Sequence, residues 1–173
     1  FYQDPERRYL PSPNSLTFMK ATHYIAQYQK VANGQSFRAE VFYKKYHNLV
    51  KTGTVNFREA AINNNGFGDA KGFEFFWRDK KTIKNLDYWI SYSYLDTKRD
   101  FLTFPFAITP NFAAKHTSSL VVKKFVQKMK TNVNVAYNYA SGRPYYNIGY
   151  DGTNYKFNDR GTIPDYHNVS FSL

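Results

Sequence analysis

The stretch Lys130–Asn147, "KTNVNVAYNYASGRPYYN", decides the fold. Thr131, Val133, Val135, Tyr137 and Tyr139 fall on one side of an extended chain, and Asn132, Asn134, Ala136 and Asn138 on the other. Side chains of a β-strand alternate with period two, so this pattern reads as a strand, apolar on one face and amide-lined on the other. A Ser-Gly-Arg-Pro segment and two tyrosines then break the alternation.

Six more segments share the period. They are 20–29, 36–46, 68–78, 86–95, 115–125 and 165–173. In 68–78, Phe73, Phe75 and Trp77 oppose Gly68, Ala70, Gly72 and Glu74. In 86–95, Leu86, Tyr88, Ile90, Tyr92 and Tyr94 oppose Asp87, Trp89, Ser91 and Ser93. No segment has convincing helical periodicity. The expected fold is all-β, an antiparallel up-and-down meander of about seven strands.

Composition agrees. Of 173 residues, 16 are Tyr, 16 Phe and 2 Trp, and aromatic residues favour strands. No apolar run reaches the length of a membrane-spanning helix. The chain has no cysteine, which excludes disulfides and thiolate metal sites.

The connections carry a second signal. Between these segments the gaps run 6, 21, 7, 19, 4 and 25 residues, strictly short then long. Residues 1–19 read as the tail of another long loop. Long structureless loops are uncommon in soluble domains. In a transmembrane barrel, short turns at one membrane face and long loops at the other are the rule, and a strand needs about 9 to 11 residues to cross. The meander is therefore expected to be part of a large transmembrane β-barrel, its apolar face toward lipid. Arg38, Glu40, Glu74, Asn132, Asn134 and Asn138 then face the lumen, and Arg38 and Lys44 are candidate ion-pair partners of Glu74. A soluble β-sandwich also alternates, but it does not predict alternating loop lengths.

The net charge is +11, which raises nucleic acid as a partner. Arg78, Lys80, Lys81 and Lys84 gather at one short turn and Lys123, Lys124, Lys128 and Lys130 at another. The aromatics that would stack on bases share faces with Val, Leu and Ile instead, which argues against that partner. His23, His47, His116 and His167 are scattered, so no metal site or cofactor is expected. "TSS" at 117–119 has no nucleophile-elbow context, and His116 points away from Thr117, so no catalysis is expected. The ligand-contact candidates are Arg143, Tyr145, Tyr146, Tyr150 and Tyr155 in the last long loop. Tyrosine and arginine are common binding anchors, and arginine suits an anionic ligand. Phe104, Phe106 and Phe112 are read as a small core of their own loop.

The chain resembles the C-terminal part of the barrel of TonB-dependent outer-membrane receptors of the type abundant in Bacteroidetes. The most specific stretches are "KGFEFFWRDK" (71–80) with "LDYWISYSYLD" (86–96), "KHTSSLVV" (115–122) and "ASGRPYY" (140–146). The likeness covers nearly the whole chain. It implies that 1–173 is a partial barrel, without the plug domain and the remaining strands, placed in the outer membrane of a Gram-negative cell. It implies active uptake of a scarce nutrient: an iron chelate, cobalamin, a glycan or a peptide. The implied partners are outer-membrane lipid, TonB and the inner-membrane energy complex acting through the plug, and the nutrient at the extracellular loops. A surface lipoprotein over those loops is a further possible partner. The rival is a soluble all-β carbohydrate-binding module using the tyrosine-rich loops.

Overall fold

The computed structural model describes residues 16–52 and 62–173, with the short pieces Tyr2–Gln3, Tyr9–Leu10, Thr54–Val55 and Arg58–Glu59. The loop expected over 1–19 lies outside the described residues for most of its length. Nine longer strands follow in chain order: β1 Lys20–Ala32, β2 Gln35–Lys51, β3 Asn63–Asp79, β4 Leu86–Asp100, β5 His116–Val126, β6 Thr131–Ala140, β7 Pro144–Tyr150, β8 Tyr155–Thr162 and β9 Tyr166–Ser172. There is no helix among the described residues.

Seven strands form one antiparallel sheet in the order β1-β2-β3-β4-β5-β6-β9. This is the expected all-β meander. The sheet is open, with β1 and β9 at its edges. The remaining pair, β7 and β8, hydrogen-bond only to each other, as a hairpin between β6 and β9.

Two expectations about the connections need correction. Strands β2 and β3 have 17 residues each and β4 has 15, so the loops expected at 47–67 and 96–114 shrink to 52–62 and 101–115. The extra residues pair although their alternation lapses into "NNNGFGD" and "TKRD", because the ladder needs only backbone groups. The stretch 140–164 is not one loop, because β7 and β8 lie inside it. Short and long connections still alternate. The turns are 33–34, 80–85 and 127–130, and the loops are 52–62, 101–115 and 141–165.

Register places whole rows of side chains on one face. Phe37, Trp77, Ile90, Leu120, Tyr137 and Val169 lie directly across from one another over six strands. The next row, on the opposite face, is Arg38, Phe76, Ser91, Ser119, Asn138 and Asn168. The first face is apolar and uncovered: Val41 is 56% exposed, Leu120 39% and Val169 70%. Its rings pair across strands, as in Phe37–Phe75 at 5.7 Å and Phe73–Tyr94 at 5.7 Å between centroids. Such contacts add about 0.5–1.5 kcal/mol each beyond burial. The second face is rich in hydroxyls and amides, interrupted by Phe42, Phe76 and Trp89.

Buried apolar residues are few among those described and lie toward the loop end: Leu49 and Val50 of β2, Ala70 of β3, and Ile108, Pro110 and Ala113 of the 101–115 loop. The loop is tied down by Leu102 N–H donating to the Val50 carbonyl (2.8 Å) and by reciprocal bonds between Arg99 and Ile108 (2.9 and 3.1 Å). Its expected phenylalanine core does not form. Phe104 meets Phe101 edge to face at 5.0 Å, Phe106 reaches out to Phe157 of β8 at 4.9 Å, and Phe112 is 57% exposed.

The β1–β2 turn is Asn33-Gly34, both with positive φ, 50° and 79°. This is the left-handed pair that two-residue hairpins need. A Cβ at Gly34 would meet ordinary contacts only, the nearest being Lys81 Cβ at 3.6 Å, so the constraint is conformational. Gly34→Ala should cost about 1 kcal/mol through backbone strain alone. It should appear as a lower urea midpoint with unchanged slope.

Candidate functional site

The loop end of the sheet carries the β7–β8 hairpin, which is separate from the main sheet, and most of the candidate ligand contacts lie on it. Its tip is built by Asp151, whose Oδ1 accepts from the amides of Thr153 (3.0 Å) and Asn154 (2.9 Å). Tyr150 donates its hydroxyl to the Gly152 carbonyl (2.9 Å). The Asn154 and Thr153 amides hold the Asp151 carboxyl below its ordinary range.

The base is pinned more firmly. The Asp165 carboxylate accepts from the Gly142 amide (2.8 Å) and from the Tyr139 hydroxyl (2.8 Å). These two donors, the amide first, hold the Asp165 carboxyl below the usual carboxylate range. Ser141 and His116 exchange two bonds, Ser141 N–H to the His116 carbonyl (2.8 Å) and His116 N–H to Ser141 Oγ (2.9 Å). Gly142 is required where it stands, because any Cβ there would collide with the Ile163 carbonyl. The "SGRP" segment is therefore a rigid base for the hairpin.

The structure divides the five predicted contacts. Tyr146, Tyr150 and Tyr155 share one hairpin face with Phe157, since Tyr146 pairs with Arg160, Ile148 with Phe157 and Tyr150 with Tyr155. Tyr150 and Tyr155 lie 5.0 Å apart, and Tyr146 and Phe157 5.5 Å. The Arg160 guanidinium sits 5.4 Å over the Phe157 ring. Tyr145 is on the other face, its ring lying over Gly161. Arg143 is exposed at the base. One face thus offers three tyrosines, a phenylalanine and an arginine, a surface suited to flat rings and to sugar faces. Sequence reading does not single out Phe157 and Arg160, and it places Phe106 in the core of its own loop. The "DGTN" tip between two alternating runs was the signal for the hairpin.

A cleft of about 370 Å³ opens beneath the hairpin. Asp96, Thr97, Lys115 and His116 line it from the strand ends, and Tyr146 and Asp165 from the hairpin side. It presents both charges and one aromatic wall. Arg99 lies near the same strand ends, stacked 4.4 Å over Tyr46, with a buried Nε that has no partner among the described residues.

The polar face holds the six expected lumen residues together on one side of the sheet. Arg38 pairs with Glu74 at 3.6 Å, both nearly half exposed, so the pair is worth little. Glu40 stands directly across from Glu74, with Gln27 on its other side. Lys44 does not join them; its ammonium lies 4.8 Å over the Phe42 ring. Asn138, Arg38, Glu74, Ser91 and Thr117 line a shallow concavity of about 420 Å³. Asn134 donates to Ser172 Oγ (3.2 Å), and Asn132 faces Phe125. His116 and His167 lie on the apolar face, hydrogen-bonded through Nδ1 to the hydroxyls of Tyr92 (2.7 Å) and Tyr137 (2.8 Å). No three metal-ligating side chains converge among the described residues.

Because the Asp165 carboxyl is held below its ordinary range, its contribution is present above pH of about 4 and lost as pH falls through the lowered value. Acidification should therefore release the Gly142 amide and loosen the hairpin base. Hydrogen exchange at Gly142 should accelerate on acidification relative to amides inside β4. Asp165→Ala should bring the same relative acceleration at neutral pH.

Compared with known proteins, the chain matches no family model and no curated sequence.

Proposed function

We propose that the chain is a wall segment of an outer-membrane transporter barrel of the TonB-dependent type, taking up a scarce nutrient. The observation that carries this reading is the uncovered apolar face that runs across all seven strands. In water such a face needs a second layer. In a bilayer it needs none, because lipid covers it and the strand ladder satisfies the backbone. The hydroxyl- and amide-rich face then borders the lumen, the short turns face the periplasm and the long loops face outward. On this placement the β7–β8 hairpin stands among the extracellular loops. Its Tyr146, Tyr150 and Tyr155 face makes the first contact with nutrient. On the same reading, TonB and the energy complex act through the plug.

Sidedness is the test. The chain has no cysteine, so single probes are clean. Leu120→Cys and Ser119→Cys are neighbours on opposite faces of β5. In the membrane-inserted protein, a fluorophore on Leu120→Cys should be quenched by spin-labelled lipid. Ser119→Cys should react with a charged, water-soluble thiol reagent at least about tenfold faster than Leu120→Cys. Equal, rapid reaction of both in a protein that is monomeric without detergent would sink the membrane reading. It would favour a soluble carbohydrate-binding module with the tyrosine hairpin as its surface.

A further inference from the structure

The charge is concentrated at one end of the strands. The segments 30–36, 77–89 and 121–135, which contain the three short turns, hold nine Lys and Arg against two Asp. That accounts for +7 of the net +11. Both carboxylates are engaged internally. Asp79 accepts from the amides of Lys81 (2.7 Å) and Thr82 (2.9 Å) and from the Gln35 amide group (2.8 Å). Asp87 takes a two-point contact from Arg78 (2.9 and 2.6 Å), with Lys80 at 4.0 Å.

What remains is uncompensated. Lys81 and Lys84 project from the second turn, Lys128 and Lys130 from the third, all exposed and with no carboxylate partner among the described residues. The turns form one rim. Lys80 N–H donates to the Gly34 carbonyl (3.0 Å) and Phe125 N–H to the Asn85 carbonyl (2.9 Å), so each turn is bonded to the next. Between the lysines stand exposed apolar side chains, Ile83 at 50% and Met129 at 61%. A rim of ammonium groups interleaved with apolar side chains fits a boundary where hydrocarbon meets anionic headgroups. The apolar groups enter the acyl region and the lysines extend to the phosphates.

We propose that this rim binds anionic phospholipid, selecting phosphatidylglycerol-type over zwitterionic headgroups in the leaflet that the short turns face. The proposal rests on the membrane placement proposed above. Native mass spectrometry of the intact protein in detergent, titrated with phosphatidylglycerol or with phosphatidylethanolamine of the same acyl chains, reads it directly. The protein should retain phosphatidylglycerol about tenfold better. Converting Lys81, Lys84, Lys128 and Lys130 to Gln should abolish that preference. Converting Lys20, Lys45, Lys98 and Lys156, at the loop end, should leave it intact. If the quadruple rim variant fails to fold, the Lys81/Lys84 and Lys128/Lys130 pairs taken singly should each lose about threefold. Equal retention of the two lipids, or equal loss in the loop-end variant, overturns the proposal and leaves the membrane reading standing. A protein that stays folded and monomeric without detergent overturns both. Displacement of the phospholipid by duplex DNA at equal phosphate assigns the rim to nucleic acid.

Discussion

Everything in this chain depends on the backbone ladder of one sheet. A layered domain stabilises its sheet by burying one face, and most of its free energy comes from that burial. Here the buried apolar residues among those described number a handful, and most belong to one loop and the strand end beside it rather than to either face. The ladder therefore sets the shape. Its strands are long, up to 17 residues, and cross-strand ring pairs reinforce the register. Register is what gives the faces their meaning, because a slip of one residue would carry every aromatic of a strand to the polar side. Tight turns fix it. Asn33-Gly34 permits one hairpin geometry, and Asp79 ties its own turn to Gln35 of the neighbouring strand.

The two ends of the sheet do different work. The turn end is short, mutually bonded and basic. The loop end has the small core, the hairpin and the cleft. Rigidity at the hairpin base matters for any recognition role. Binding costs less when the contact surface is already ordered, and the Asp165, Ser141 and Gly142 contacts order it. Trp89 carries a similar lesson on the polar face. It lies between the Arg78 guanidinium at 5.1 Å and the Lys123 ammonium at 5.2 Å, which fixes a large ring where small polar side chains prevail.

The sequence was most legible where one rule acts at a time. Alternation alone located the seven strands, since a sheet with distinct faces writes its period into every strand. It lost the strand ends at Asn63–Phe67 and Thr97–Asp100, where backbone pairing continues without a patterned face. It lost β7 and β8 because prolonged tyrosine content reads as a sticky loop, although the "DGTN" tip marks a hairpin. It reached the right neighbourhood for the candidate site but not its facing. Tyr145 and Tyr146 look equivalent in sequence, yet consecutive strand residues point to opposite sides. The meeting of Phe106 with Phe157 was out of reach, because two loops far apart in sequence come together only once the strands between them are in register.

A last consequence concerns what the fold leaves variable. The two strand faces are fixed by register, apolar on one side and polar on the other. The β7–β8 hairpin belongs to neither. It pairs only with itself, and one ring contact, Phe106 on Phe157, joins its aromatic face to the next loop. Substitutions at Tyr150 or Tyr155 disturb no ladder of the main sheet, whereas those at Tyr92 or Tyr137 would break hydroxyl bonds to His116 or His167 within it. The hairpin face can therefore change while the sheet stays constant. This separation, more than the number of tyrosines, sets the hairpin apart from the sheet.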